Sequence, residues 1–218
     1  MTIGIPDLGT TGQQVLQHLR LAIVAGDYHP GQRVPQEEIA ERFGVSVAPV
    51  REALQALQQE GQVTYQPRRG YFITELAVED LREIYDLRQL LEEHALRLAL
   101  PTLDTAAIDT IAEAAAECAE AADRGDVAKE LAANRRFHFG MLDAPGQTHT
   151  MRLIRLLWDC TESYRAMYYN SPVERERTVD AHERILVAIR RGDEDAVIAE
   201  LDDHRDRALQ VLTQLLRA

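Results

Sequence analysis

The sequence predicts a mainly α-helical protein in two parts, a winged helix-turn-helix followed by an antiparallel α-helical bundle. Two short helical patterns meet at a turn around Gly44, and a β-hairpin pattern follows between residues 62 and 74. Beyond that, helical periodicity runs almost without interruption to the end of the chain. We therefore expect two domains, residues 1–75 and residues 76–218.

The first domain contains two short helices joined by a tight turn. Gly44 can end the first helix with a positive φ, and Ser46 is placed to cap the second. Pro49 falls in the first turn of the second helix, where its missing N–H is not needed. The inward stripe of that helix is Val50, Ala53, Leu54 and Leu57. In a helix-turn-helix the second helix enters the DNA major groove with its N-terminal residues first, so this segment predicts DNA binding.

Segments on both sides extend this pattern. An upstream helix is predicted at about residues 13–25, and a turn at Pro30-Gly31 follows it. Downstream, β-like runs at residues 62–66 and 71–74 surround Pro67-Arg68-Arg69-Gly70. The resulting hairpin has two arginines at its tip, as expected for a wing that touches DNA.

Together these features resemble the winged helix of the GntR transcription regulators. The resemblance covers roughly residues 10–75 and rests on Leu19-Arg20, Ile23, Gly26, Pro30-Gly31, Ile39-Ala40, Gly44-Val45-Ser46, Pro49 to Leu54, Glu60-Gly61 and Arg69-Gly70. It implies that residues 1–75 bind an operator in double-stranded DNA. The DNA-contacting residues are then expected to be Arg51, Val47, Ala48, Gln55, Arg68, Arg69 and Gly70.

Two of these positions carry a more specific expectation. Arg51 should contact a phosphate or a base near the start of the recognition helix. Many members of the family carry arginine where this chain has Val47. Val47 or Ala48 is therefore expected to touch a thymine methyl group instead.

The charge of the chain is unusual for a protein that binds nucleic acid. The net charge is −12, although phosphate contacts dominate the affinity of such proteins. Residues 1–75 account for only −2 and residues 76–218 for −10, so most of the acidity lies outside the predicted DNA-binding domain. Because the cationic patch of Arg51, Arg68 and Arg69 is small, we expect modest DNA affinity per monomer and a homodimer on the operator.

Composition also predicts the cellular location. No apolar run approaches the 18 or so residues of a membrane span, and the N-terminus lacks the pattern of a signal peptide. Cys118 and Cys160 are the only cysteines and form no CxxC motif. We therefore expect a cytoplasmic protein with no membrane partner.

The second domain contains six amphipathic runs with short connections. The residues that separate them are typical helix breakers, and Asp193 can cap the last helix. Six helices arranged in this way predict an antiparallel bundle. The runs lie at about residues 78–100, 105–124, 126–143, 148–170, 174–191 and 194–217, and the breaks contain Pro101, Gly125, Pro145-Gly146, Pro172 and Gly192.

Helical phase places histidines on the inward faces of three of these helices. His138 follows Asn134 by one turn, and His182 and His204 lie on two other helices. Each ring alone is best read as a hydrogen-bonded core histidine, because a buried imidazole needs polar partners. Three converging rings suit a divalent metal. The apolar residues on the three stripes are Met141 and Leu142, Ile185 and Ile189, and Leu201, Ala208, Val211 and Leu215.

The segments around these histidines are similar to the FCD ligand-binding domain of FadR-type GntR regulators. The similarity rests on the runs 134–138 and 182–196 and on His204. It implies a divalent transition metal bound by Asn134, His138, His182 and His204. Zinc or nickel is expected, since three histidines and one oxygen donor suit either ion. Aspartate is more usual in the family at position 134, so the neutral Asn134 would leave this site more positive.

Arg88 is the candidate effector-binding residue. Its segment resembles the first helix of the FCD domain, whose arginine lies at the effector pocket. A guanidinium can hold a small carboxylate through two hydrogen bonds, whereas the alternative is a structural pair with Glu92 one turn later. Tyr164, Arg165 and Tyr168 are weaker pocket candidates.

The sequence therefore predicts a dimeric transcriptional regulator, not an enzyme, whose operator binding is modulated by a small organic acid at the metal. One alternative is a metal sensor in which the ion itself is the signal. Another is a metal-dependent hydrolase, since three histidines and an open metal position can activate water. Against a hydrolase, no carboxylate is obviously placed as a general base beside these ligands.

Overall fold

The structure is a computed structural model that describes residues 11–143 and 146–217. The chain divides between Glu75 and Leu76 into two compact units. Each unit has an apolar core of its own. Among the described residues, no helix is both long enough and apolar enough to cross a membrane.

Over its described residues, 11–75, the first unit combines three helices with a three-stranded antiparallel sheet in which β3 lies between β1 and β2. The sequence pattern predicts only the β2–β3 hairpin, because β1 has two residues and is too short to show alternation. β1 pairs Arg33 with Phe72 and Val34 with Tyr71. The elements are α1 (Thr11–Val24), β1 (Arg33–Val34), α2 (Gln36–Phe43), α3 (Val47–Gln59), β2 (Val63–Gln66) and β3 (Gly70–Ile73).

The turn between α2 and α3 has the predicted backbone but lacks one predicted bond. Gly44 ends α2 with a φ of 63°, a conformation that a side chain would disfavour. Ser46 precedes α3, but its side chain makes no capping hydrogen bond, so that part of the prediction is wrong. Val50, Ala53, Leu54 and Leu57 face the core with at most 2% of their surface exposed.

The second unit is an all-helical bundle. α5 packs along α6 and α9, α10 packs against α9 and α4, and α4 packs against α7. Asp193 accepts a hydrogen bond from the Ala196 N–H and so caps α10 as predicted. The helices are α4 (Val78–Ala99), α5 (Thr105–Arg124), α6 (Val127–Leu142), α7 (Thr148–Asp159), α8 (Glu162–Tyr169), α9 (Pro172–Arg191) and α10 (Glu194–Leu215), with a 3₁₀ turn at Leu100–Thr102.

One predicted helix of the bundle is divided in two. The run at 148–170 forms α7 and α8, which are separated at Cys160 and Thr161. Both side chains donate to the Leu157 carbonyl, at 3.2 Å each. Such bonds offer the backbone an alternative to the regular helical ladder. The break matters for the site because α8 supplies several of its side chains.

Candidate functional site

Three imidazoles from three helices meet in the bundle. His138 comes from α6, His182 from α9 and His204 from α10, and the three ring centroids are 5.5 Å apart in every pairing. One nitrogen of each ring lies within 4.8 Å of the others. His138 and His182 are buried, whereas His204 is half-buried. The structure thus brings together the three histidines that helical phase placed inward.

The polar atoms of this cluster are short of partners. Neither ring nitrogen of His182 has a hydrogen-bond partner among the described residues, and the same holds for the amide oxygen of Asn134. Asn134 lies one turn before His138 on α6 and is only 2% exposed. A buried polar atom without a partner costs free energy, so a hydrogen-bonded core histidine does not describe His182.

The electrostatic environment keeps these rings neutral. Burial is the main reason that the pKa of His138 and of His182 falls well below its usual value, and the neighbouring imidazoles add to the effect. Burial, followed by the charges of Arg88 and Arg205, lowers the pKa of His204 to about 4. A neutral imidazole is the form that binds a metal, so the cluster is in the binding form at neutral pH.

A buried carboxylate organises the neighbouring side chains. Glu92 accepts hydrogen bonds from Arg88 Nε at 2.9 Å, from Trp158 Nε1 at 2.7 Å and from Arg205 Nη2 at 3.0 Å. Burial alone would raise the pKa of Glu92, but the charges of Arg88 and Arg205 hold it below its usual value. Arg88 and Arg165 also lie over the Trp158 ring, at 4.3 and 4.4 Å from its centroid.

A small cavity brings two of the histidines, His138 and His204, together with these charged groups; we call it the inner cavity. Its volume is about 30 Å³, which is space for about two water molecules. The remaining polar and charged lining residues are Asn134, Arg88, Glu92, Trp158, Arg165 and Arg205, and Tyr85, Tyr168, Tyr169, Leu201 and Ala208 complete the wall.

Arg88 has two kinds of neighbour in the structure. It forms the structural pair with Glu92, and it also lines the inner cavity. Arg165 and Tyr168 line the cavity too, whereas the Tyr164 hydroxyl accepts a hydrogen bond from the Leu76 N–H at 2.6 Å.

The sequence did not predict the roles of Arg205 and Trp158, or that Glu92 accepts hydrogen bonds from both. One feature of the sequence could have indicated that Arg205 is buried, because this residue falls on the apolar stripe of α10 between Leu201 and Leu212. All three are buried, with Arg205 at 6%, Leu201 at 4% and Leu212 at 0% exposure. The stripe therefore runs through Arg205, and His204 lies at its edge. Leu215, which was expected on the stripe, is 43% exposed.

The predicted DNA-binding residues lie on two exposed parts of the first unit. On α3, Ala48, Arg51 and Gln55 are exposed and share one helical face, and Val47 at its start is half-buried. Arg68 and Arg69 are exposed at the tip of the β2–β3 hairpin, where Gly70 begins β3 with a φ of 95°.

A further arginine lies beside the hairpin. Arg33 on β1 is exposed and pairs across the sheet with Phe72. Its Nε is 3.8 Å from the position that a Cβ of Gly70 would occupy. Arg33 therefore adds a third positive charge near Arg68 and Arg69, which the sequence pattern of the hairpin does not include.

Comparison with known proteins assigns the family. Residues 11–73 match the family of bacterial regulatory proteins of the gntR type, and residues 83–207 match the FCD domain. The chain belongs to the GntR family, with an FCD domain. This confirms the family predicted from the sequence and its two-part fold. A GntR regulator of this type is a transcriptional regulator.

Relatives of this GntR protein align along most of their length. The HTH-type transcriptional regulator YdhC of Bacillus subtilis is 26% identical, over 93% of this chain and 91% of the relative. The Nta operon transcriptional regulator of Aminobacter aminovorans is 29% identical, over 87% and 91%. The structure of Escherichia coli McbR/YncC superimposes with a TM-score of 0.82 at 23% identity, covering 95% of this chain and 99% of that one. The relatives are named as regulators, so the hydrolase alternative is set aside.

Proposed function

We propose that this GntR regulator binds its operator as a homodimer and that a small carboxylate, bound beside a divalent metal in the FCD domain, modulates this binding. The observation that carries the proposal is His182, whose two ring nitrogens have no partner among the described residues although the ring is 2% exposed. His138 and His204 lie at equal distances from it, so the three rings have the arrangement of ligands around a common ion.

The donor set fits a divalent transition metal. His138, His182 and His204 are neutral imidazoles, and the unpartnered oxygen of Asn134 can act as the fourth ligand. Zinc and nickel both suit three nitrogens and one oxygen. Bound there, such an ion would supply an electrophilic position for an oxygen of the acid. Because all four donors are uncharged, they leave the charge of the ion to be balanced by an anion.

The charged lining of the inner cavity favours an acid as that anion. Arg88, Arg165 and Arg205 line it, and Glu92 is the one carboxylate among its lining residues. The Nε atoms of Arg165 and Arg205 have no hydrogen-bond partner within the described part of the chain. Buried guanidinium groups with free donors bind carboxylates well. We therefore assign Arg88 to the effector, with Arg165 and Arg205 as additional cationic groups.

DNA binding is assigned to residues 1–75, through the start of α3 and the hairpin. The exposure of Arg51 on α3, next to Ala48 and Gln55, supports this assignment. Among the described non-glycine residues, Arg68 alone has a positive φ, of 64°. A side chain is disfavoured in that conformation, and such outliers occur where function retains them. The geometry supports the wing as a second contact.

Exposed leucines on two adjacent helices support a homodimer formed through residues 76–218. Leu90 on α4 is 68% exposed, and α4 packs against α7. Exposed apolar groups on neighbouring helices are typical of surfaces that a partner covers. Those on the two helices are Leu87, Leu90 and Leu98 of α4 and Leu153 and Leu156 of α7. As a DNA-binding regulator, the protein is assigned to the cytoplasm.

The metal is tested by elemental analysis of untagged protein purified without chelator. We expect about one zinc or nickel ion per chain, which His182→Ala should lose because it removes one of the three nitrogens. His149→Ala is the matched control, since His149 is exposed on α7. Wild-type protein that holds no metal, even after incubation with zinc and nickel, would refute the metal site.

The acid is tested by thermal shift of metal-loaded protein against a set of metabolite acids. Hits should stabilise the wild type and the control Arg82→Ala, which changes an exposed residue of α4. They should stabilise Arg88→Ala much less, because the variant lacks one cationic group of the cavity. Equal stabilisation of all three proteins would locate the acid elsewhere.

A metal sensor remains the second candidate, and the size of the inner cavity favours it. About 30 Å³ leaves little room beside an ion, and Glu92 already binds Arg88 and Arg205. If the ion alone is the signal, operator binding will change when the metal is added, and metabolite acids will cause no further change. A further response to an acid would support the carboxylate effector.

A further inference from the structure

A second cavity lies next to the inner cavity, at the surface between α9 and α10; we call it the outer cavity. Its volume is about 300 Å³. Tyr168 and His204 line both cavities. Because His204 is half-buried while His138 and His182 are buried, it is the imidazole of the cluster that is open to the outer cavity.

The arginines of the outer cavity already have carboxylate partners. A paired guanidinium contributes little net positive charge to its surroundings, since the carboxylate compensates it. The three arginines share two glutamates and so keep one net positive charge, which the three aspartates of the cavity outweigh. The pairs are Arg184 with Glu200, and Arg177 and Arg207 with Glu174.

Three further carboxylates, all aspartates, line the outer cavity, and the charges of Asp180 and Asp203 act on Arg184 without forming a salt bridge with it. Asp180 of α9 and Asp203 and Asp206 of α10 are exposed and form no salt bridge with any residue that the structure describes. Asp203 and Asp206 lie within two residues of His204. Tyr168, only 3% exposed, adds a hydroxyl oxygen to the wall. Carboxylate and neutral oxygens in a concave surface attract divalent cations.

We propose that the outer cavity collects the divalent cation for the histidine cluster and that His204 is the first of the three imidazoles to bind it. The proposal rests on the metal site described under the proposed function. It adds a role for Asp180, Asp203 and Asp206 that the ligand set does not include. These aspartates act on the rate of loading, because they attract the cation without being among its final ligands.

The test is a stopped-flow measurement of Ni²⁺ binding to metal-free, full-length protein. Trp158 is the only tryptophan of the chain, and its ring centroid is 5.0 Å from that of His138. Quenching of its fluorescence by a paramagnetic ion therefore reports arrival at the inner site. The variant is D180N/D203N/D206N, and the control is D109N/E113Q/D123N, which makes the same change in charge at exposed positions of α5.

At low ionic strength we expect the variant to bind Ni²⁺ about tenfold more slowly than the control, since electrostatic steering is worth tenfold or more. The rate of release should change by less than about twofold, because the aspartates are not among the final ligands. Added salt should slow the wild type more than the variant, because screening removes the same attraction.

Two results would overturn the collecting role: equal association rates in the variant and the control, or a weaker Kd with an unchanged association rate. A different result separates this proposal from the one it rests on. Wild-type protein that shows neither quenching nor bound nickel would refute the metal site itself.

Discussion

Glu130 should make the stability of the bundle depend on pH in a specific direction. Its side chain on α6 is 0% exposed, and neither carboxylate oxygen has a hydrogen-bond partner among the residues that the structure describes. Burial raises the pKa of Glu130 to about 7, and the charge of Arg175 on α9 only partly opposes this. The other titratable groups that face it are Cys118 on α5 and Tyr169 on α8.

The sign and the size of this pH dependence follow from the linkage between proton binding and folding. The folded state binds the proton of Glu130 more tightly than the unfolded state, in which the pKa is near 4.5. The resulting stability is fully present below pH 4.5 and is lost as the pH rises through 7. With about 1.36 kcal/mol per pKa unit, the whole contribution is about 3.4 kcal/mol. Between pH 5 and pH 8 the loss is about 2.5 kcal/mol.

The assay is urea unfolding of the full chain in chelator at pH 5 to 8, followed by Trp158 fluorescence. Trp158 lies in the bundle, so its signal reports this unit. Glu130→Gln removes the ionisation, and Glu113→Gln on the exposed face of α5 is the control. The difference in unfolding free energy between wild type and Glu130→Gln should change by about 2.5 kcal/mol across this range in favour of the variant at high pH. Parallel pH profiles for the two proteins would refute the reasoning.

Three further predictions concern the proposed sites. Arg51→Ala should weaken operator binding by about 1–3 kcal/mol if Arg51 reads a base, and unchanged affinity in a fluorescence-anisotropy titration would contradict this. Replacing Arg68 and Arg69 with alanine should lower the slope of log affinity against log salt by about one unit for each phosphate that the hairpin no longer neutralises; a wild-type slope would mean that the hairpin does not reach the DNA. His182→Ala should abolish the stabilisation of the protein by added zinc, and a retained thermal shift would count against the ligand set.

The sequence predicted those structural features that depend on residues close together in the chain. The α2–α3 turn depends on Gly44, whose need for a positive φ is a property of one residue. The inward phase of His182 follows from Ile185 and Ile189, and all three are at most 6% exposed. Such patterns need no knowledge of the neighbouring helices, since the period of a helix fixes which residues share a face.

The features that were missed depend on distant partners. Glu92 is buried because Arg205, 113 residues away, and Trp158, 66 residues away, donate to it. The spacing between Glu92 and Arg88 predicts the ion pair of these two residues. It does not indicate that Arg205 and Trp158 also donate hydrogen bonds to Glu92. The break between α7 and α8 arises from competing hydrogen bonds of Thr161, and threonine also occurs within unbroken helices, so its presence predicts no break.

The break between α7 and α8 places two kinds of contact on one short helix. Arg165, Tyr168 and Tyr169 of α8 line the inner cavity, while Tyr164 accepts a hydrogen bond from the N–H of Leu76, the first residue of the second unit. Under the proposed function, a ligand that changes the inner cavity acts on a helix that also contacts the start of this unit. Linkage then requires the proposed acid to bind one arrangement better than another, and a coupling of about 1–3 kcal/mol would change operator affinity about 5- to 150-fold. A displacement of α8 would alter the contact with Leu76 and the wall of the cavity together.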